Sequence, residues 1–187
     1  MIASGGSLDA TGYHFDQKHG LAFTSPDISG EYTIEVSLSL NNCGMTGAPV
    51  GSLGRWRKIL DFTNLSSDLG VYVDRSGPLA IFLANGFYAG RTYVGDQRRK
   101  ITMTRSATGF VNIFLDDVSP PEISCNDSAG SAVVASIWFA QAVRENEFPA
   151  GTVYDILVSN KARPGPTSEG PIGCSPKLPP PPGVRVP

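Results

Sequence analysis

Residues 96–118 read DQRRKITMTRSATGFVNIFLDDV. Ile101 and Met103 alternate with Thr102 and Thr104, and Val111, Ile113 and Leu115 alternate with Asn112, Phe114 and Asp116. Between the two runs lies Ser106-Ala107-Thr108-Gly109, a polar connection with one residue free to take positive φ. Two period-2 runs joined by a short glycine-containing loop predict an antiparallel hairpin with one buried face.

Working outward, Tyr32–Leu40 (YTIEVSLSL) places Tyr32, Ile34, Val36, Leu38 and Leu40 on one face and Thr33, Glu35, Ser37 and Ser39 on the other. This is the signature of a half-buried strand. Trp56–Thr63, Val71–Asp74, Leu79–Ala84, Val133–Phe139 and Val153–Ser159 read as further strands, with two short apolar pieces between Tyr13 and Phe23. Phe87–Gly95 (FYAGRTYVG) reads as an aromatic, glycine-punctuated, irregular stretch. Trp56 and Trp138 fall within strand patterns and are expected in the core. No segment has sustained helical periodicity with caps. About ten strands at spacings near 10 residues predict an all-β sandwich.

Apolar residues make up 41% of the 187 positions, enough for a packed core in one domain. The formal charge of −2, with both signs scattered, gives no footprint for nucleic acid and no polybasic membrane patch. No apolar run approaches the roughly 20 residues needed to span a bilayer, and the first ten residues, MIASGGSLDA, lack a signal-peptide pattern. Cys43, Cys125 and Cys174 lie far apart without CxxC spacing, which argues against zinc and leaves either three thiols or one disulfide in any of three pairings. From Arg163 the composition turns to RPGPTSEGPIGCSPKLPPPPGVRVP, favouring extended polyproline II. The expected organisation is a sandwich over 1–162 and an extended tail over 163–187.

GEYTIEVSLSL, GRWRKILDF, SDLGVYV, RKITMTRSATGFVNIFLDD and AGTVYDILVSNKA, in that order, resemble the laminin-G-like members of the concanavalin-A-like superfamily. The likeness covers roughly residues 9–162, and its best parts are Met103–Asp116 and Ala150–Val158. It implies a two-sheet antiparallel jelly roll, usually non-catalytic, in extracellular adhesion or carbohydrate recognition. Such relatives often carry paired acidic residues after the penultimate strand, where Gln141-Ala142 stands here. That difference argues against calcium.

Several residues are candidates for chemistry. Phe87, Tyr88, Arg91 and Tyr93 combine aromatic faces that stack on sugar rings with a guanidinium that bridges hydroxyls. Asp116, Asp117, Asn126 and Asp127 are the oxygen donors available for a calcium after the hairpin, although Asp and Asn in turns more often serve backbone hydrogen bonds. No cofactor is therefore expected. His14 and His19 have no ligand-spaced partners and are expected to be satisfied or solvated. Asn64-Leu65-Ser66 and Asn126-Asp127-Ser128 match the glycosylation sequon. A glycosidase needs two carboxylates sharing one cleft; adjacent Asp116 and Asp117 do not suit it, and Glu145 and Glu147 lie in a polar loop. The expectation is no enzyme activity. In the tail, Leu178 and Val184 flank Pro179, Pro180, Pro181 and Pro182, and these six are candidate contacts for a partner or neighbouring copy.

Two functions follow as expectations. One is a non-catalytic recognition or adhesion module for glycan or protein, outside the cell or on a particle surface. The other is a structural subunit of a virion or filament whose tail contacts its neighbour.

Overall fold

The computed structural model describes residues 2–16, 19–24, 28, 30–41, 56–74, 77–132, 136–139 and 150–163. Its strands, in chain order, are β1 (Ile2–Ser4), β2 (Ser7–Asp9), β3 (Gly12–Phe15), β4 (Gly20–Thr24), β5 (Tyr32–Leu40), β6 (Trp56–Asp61) and β7 (Gly70–Asp74). They continue as β8 (Pro78–Leu83), β9 (Gly86–Tyr93), β10 (Arg99–Arg105), β11 (Phe110–Leu115), β12 (Ile123–Asn126), β13 (Ser136–Phe139) and β14 (Gly151–Ser159). No helix occurs among the described residues.

Among the described residues, two seven-stranded antiparallel sheets face each other, in the orders β1-β4-β13-β6-β7-β8-β9 and β12-β11-β10-β5-β14-β3-β2. The all-β, two-sheet expectation is correct. The hairpin lies in the second sheet, with Ile101 opposite Leu115 and Met103 opposite Ile113. Its turn needs the predicted glycine: Gly109 has φ +84°, and its N–H donates to Ser106 O at 2.9 Å. Strand β10 also pairs with β5, setting Ile101 opposite Val36 and Met103 opposite Ile34. Ile34, Val36, Leu38, Ile101, Met103, Ile113 and Leu115 are all buried in one core between the sheets, as their period-2 spacing requires. A β-bulge between Val153 and Asp155 lets β14 follow β5 along its length.

Two local expectations change. The stretch starting at Phe87 is regular strand, because β9 pairs with β8 through Phe82–Phe87 and Ile81–Tyr88. Cys125 and Asn126 belong to β12, and Cys125 is buried against the core. Trp56 lies outside the inter-sheet core. It is half-buried on the outer face of the first sheet, edge-on to Tyr72, Phe82 and Phe87 at 5.5–6.2 Å between ring centroids. The Trp138 side chain is outside the described set, as are Cys43 and Cys174.

Beside that aromatic cluster, Lys58 and Asp61 form an ion pair with no exposed surface. Lys58 Nζ also donates to Ser67 O at 2.9 Å, and Asp61 Oδ1 accepts from the N–H groups of Thr63 (3.0 Å) and Leu65 (2.7 Å). The pair therefore pins the β6–β7 loop. On the outer face of the second sheet, Thr33 Oγ1 donates to Lys161 O at 2.8 Å and accepts from Arg163 N at 2.7 Å. Arg163 Nη1 lies 2.7 Å from Glu35 Oε1. Arg163, which composition groups with the tail, is thus bonded to the sandwich.

Candidate functional site

The structure separates the residues expected to bind a ligand. On strand β9 side chains alternate, so Phe87 enters the outer aromatic cluster while Tyr88 enters the core; they are 6% and 8% exposed. Neither offers a free ring face. Arg91 is exposed, and the Tyr93 side chain lies outside the described set. The backbone here is held by Glu122, whose Oε2 accepts from the N–H groups of Arg91 and Thr92, both at 3.0 Å. Burial alone would raise the Glu122 pKa, but the hydrogen bonds from Thr92 and these two N–H groups leave it lowered.

The four candidate calcium ligands do not converge. Asp116 and Asp117 follow β11, whereas Asn126 and Asp127 sit beside its start, where Phe110 pairs with Asn126. A six-residue strand puts the two pairs about 20 Å apart. The acidic members also face internal cations. Asp116 bonds Arg99 Nη1 at 2.8 Å, and Asp117 bonds Lys100 Nζ at 2.8 Å and Thr102 Oγ1 at 2.9 Å. The Lys100 hydrogen bond lowers the Asp117 pKa, and the same bond raises that of Lys100.

Asp127 is the centre of a closed cluster. Its carboxylate accepts from Ser131 Oγ (2.6 Å), Ser131 N (2.8 Å), Ala132 N (2.9 Å) and Arg105 Nε (3.1 Å). Arg105 also donates to Gly30 O, and the Tyr32 hydroxyl donates to Ala132 O at 2.7 Å. Burial alone would raise the Asp127 pKa, but the bonds from Ser131, Ala132 and Arg105 outweigh it and leave the group below its ordinary value. This cluster locks the β10–β5 end to the chain after β12.

A different polar group stands at the other end of β5. A cavity of about 390 Å³ opens there, lined by Ser7, His14, Asp16, His19, Asn41 and Thr152 over a backbone floor at Gly6 and Gly151. Antiparallel pairing assembles it: β14 runs between β5 and β3, with Thr152 opposite Ser39 on one side and His14 on the other. Gly5, with φ +74°, carries the β1–β2 turn against the His19 ring, where a Cβ would lie 2.2 Å from Cδ2. Tyr13 fastens this corner, its hydroxyl donating to Gly5 O at 2.8 Å.

His14 is held on both sides. Nδ1 lies 3.0 Å from Thr152 Oγ1, while Nε2 lies 3.1 Å from Asp9 Oδ2 and 3.0 Å from Thr11 Oγ1. Asp9 accepts from the Thr11 hydroxyl and N–H; those two bonds and His14 bring its pKa down to about 2. The His14 and Asp9 side chains remain 39% and 58% exposed. His19 Nδ1 is buried with no hydrogen-bond partner among the described residues. Hydroxyl, amide, imidazole and carboxylate groups thus share one concave space, an arrangement that suits a ligand with many hydroxyls. Sequence reasoning missed this site because Asp9 and His14 precede Thr152 by more than a hundred residues and match no spacing motif.

The tail candidates Leu178, Pro179, Pro180, Pro181, Pro182 and Val184 lie outside the described residues.

No family model matches this sequence, and no curated protein matches it either. Solved structures match its fold. A Trypanosoma rangeli sialidase in complex with 2,3-difluorosialic acid aligns with TM-score 0.61 at 10% identity, over 82% of this chain and 26% of the sialidase. A Bacteroides ovatus protein named for a supposed carbohydrate-binding role aligns with TM-score 0.53 at 8% identity, over 77% of this chain and 41% of that one. The binding domain of botulinum neurotoxin DC, in complex with rat synaptotagmin II, aligns with TM-score 0.53 at 13% identity, over 78% and 37% of the two chains. The chain spans about a quarter of the length of the sialidases it matches. The expectation that the chain is not an enzyme is corrected by these matches, since sialidases are enzymes and the fold is shared with them. At these identities the likeness is one of fold: the chain is an antiparallel β-sandwich of the kind found in sialidase and binding-domain structures.

Proposed function

We propose that this chain is a recognition domain that binds carbohydrate in the cavity between β2, β3, β5 and β14. The observation that carries this reading is the convergence of Ser7, His14, Asp16, His19, Asn41 and Thr152 on one space of about 390 Å³. That volume falls within the range of small-ligand sites, and its walls offer the mixed donors and acceptors that sugar hydroxyls require. The matched structures carry partners of two kinds, a sialic acid derivative and a protein. The cavity favours the sugar, because a specific protein interface needs about 800 Å² on each partner around an apolar centre. The setting that goes with this reading is extracellular or on a particle surface.

A glycan array probed with wild type and with Thr152→Val tests it. Valine keeps the branched strand side chain and removes the hydroxyl that bonds His14. The expected result is a defined set of bound glycans in wild type and at least about a tenfold loss in the variant. An array with no bound glycan, or one that the variant leaves unchanged, overturns the reading.

A further inference from the structure

The hydrogen-bond directions around His14 bear on which sugars the cavity admits. Thr11 Oγ1 donates its proton to Asp9 Oδ1, so toward His14 Nε2 it offers only lone pairs. Asp9 Oδ2, the other neighbour of Nε2, is a carboxylate oxygen and also an acceptor. Two acceptors on one ring nitrogen place the proton of a neutral imidazole on Nε2. Nδ1 is then the acceptor and takes the proton of Thr152 Oγ1 across 3.0 Å. With its proton engaged, the Thr152 oxygen presents lone pairs to the cavity. Asp16 adds a second acceptor-only group to the same wall, and the Asp9 carboxylate stands behind His14.

We infer that the sugar unit held here is non-acidic, with amino sugars bound most tightly, neutral hexoses next, and uronic or sialic acids excluded. This rests on the glycan reading above and deepens it. A ligand carboxylate is acceptor-only, so it would meet the lone pairs of Thr152 and Asp16 unpaired, and would meet the charges of Asp9 and Asp16 with like charge. Hydroxyl donors satisfy those lone pairs, and an ammonium satisfies them with charge assistance. The order is opposite to what an anionic sugar such as sialic acid would require.

The test is an NMR titration of the full chain at neutral pH, following the imidazole signals of His14 and His19. The probes are the amino, neutral and uronic acid forms of the sugar in both the gluco and galacto series. The expected order of affinity is amino above neutral above uronic acid in whichever series binds. In Asp16→Asn, whose exposed side chain keeps its size, the ratio of neutral-sugar to uronic-acid affinity should fall about fivefold. Uronic acid binding as tightly as the neutral sugar in wild type overturns the inference, as does a ratio unmoved in Asp16→Asn. Those outcomes leave glycan binding standing. If none of the probes, and no glycan that binds on the array, moves His14 or His19, the glycan reading fails and the inference falls with it.

Discussion

The two ends of β5 carry polar clusters of similar chemistry and opposite character. At the Tyr32 end, Arg105 and Asp127 are buried, and the carboxylate accepts four hydrogen bonds from within the protein. About 25 Å along the strand, Asp9, His14 and Thr152 form a chain of bonds that remains part-exposed and borders a cavity. The closed cluster has no valence left for a ligand, so its chemistry is directed at holding the sandwich together. The open one directs lone pairs into empty space. Which of two polar clusters binds something is decided by what remains unsatisfied, and charge content alone does not tell them apart.

The largest effect should come from breaking the closed end. Asp127→Ala leaves Arg105 buried without its partner and frees the N–H groups of Ser131 and Ala132, at a cost of about 3–5 kcal/mol. Urea unfolding measures it. A loss under about 1 kcal/mol would mean the cluster is not closed in solution. Ile113→Ala, in the core between the sheets, should cost about 3 kcal/mol by opening a cavity, and serves as the internal standard for the first result.

Acid weakens the closed end. Because the folded-state pKa of Asp127 lies below its unfolded value, its contribution is fully present above that unfolded value. It is lost as the pH falls below about 4 toward the folded pKa. Circular dichroism should show acid destabilisation in that window, and Asp127→Asn should flatten it. At the open end, Thr152→Val should change stability by less than about 1 kcal/mol, with its effect confined to binding. The smallest effect concerns calcium. With Asp116 and Asp117 facing Arg99 and Lys100, melts in excess calcium and in chelator should agree within a few degrees; a large rise would reveal a cation site elsewhere.

The fold was legible because it is written in local alternation. Met103 and Ile113 occupy positions whose period assigns a face, and Gly109 marks the turn between them. The aromatic stretch was half legible. Gly90 and Gly95 punctuate it and suggested an irregular stretch, yet the adjacency of Phe87 and Tyr88 already excludes a shared face once the segment is a strand. The cavity was not legible. His14 and Thr152 meet only because β14 inserts between β3 and β5, and a threonine in a strand is ordinary in sequence. Nothing short of the strand order brings those residues together.

The most direct measurement is a map of backbone amide shifts on titrating the full chain with the tightest-binding glycan from the array. The account predicts perturbations centred on His14, His19, Asn41 and Thr152, with Arg105, Asp127 and Ser131 unmoved. Shifts centred on the Asp127 end, or on Trp56 and Arg91, with the His14 end silent, would contradict it.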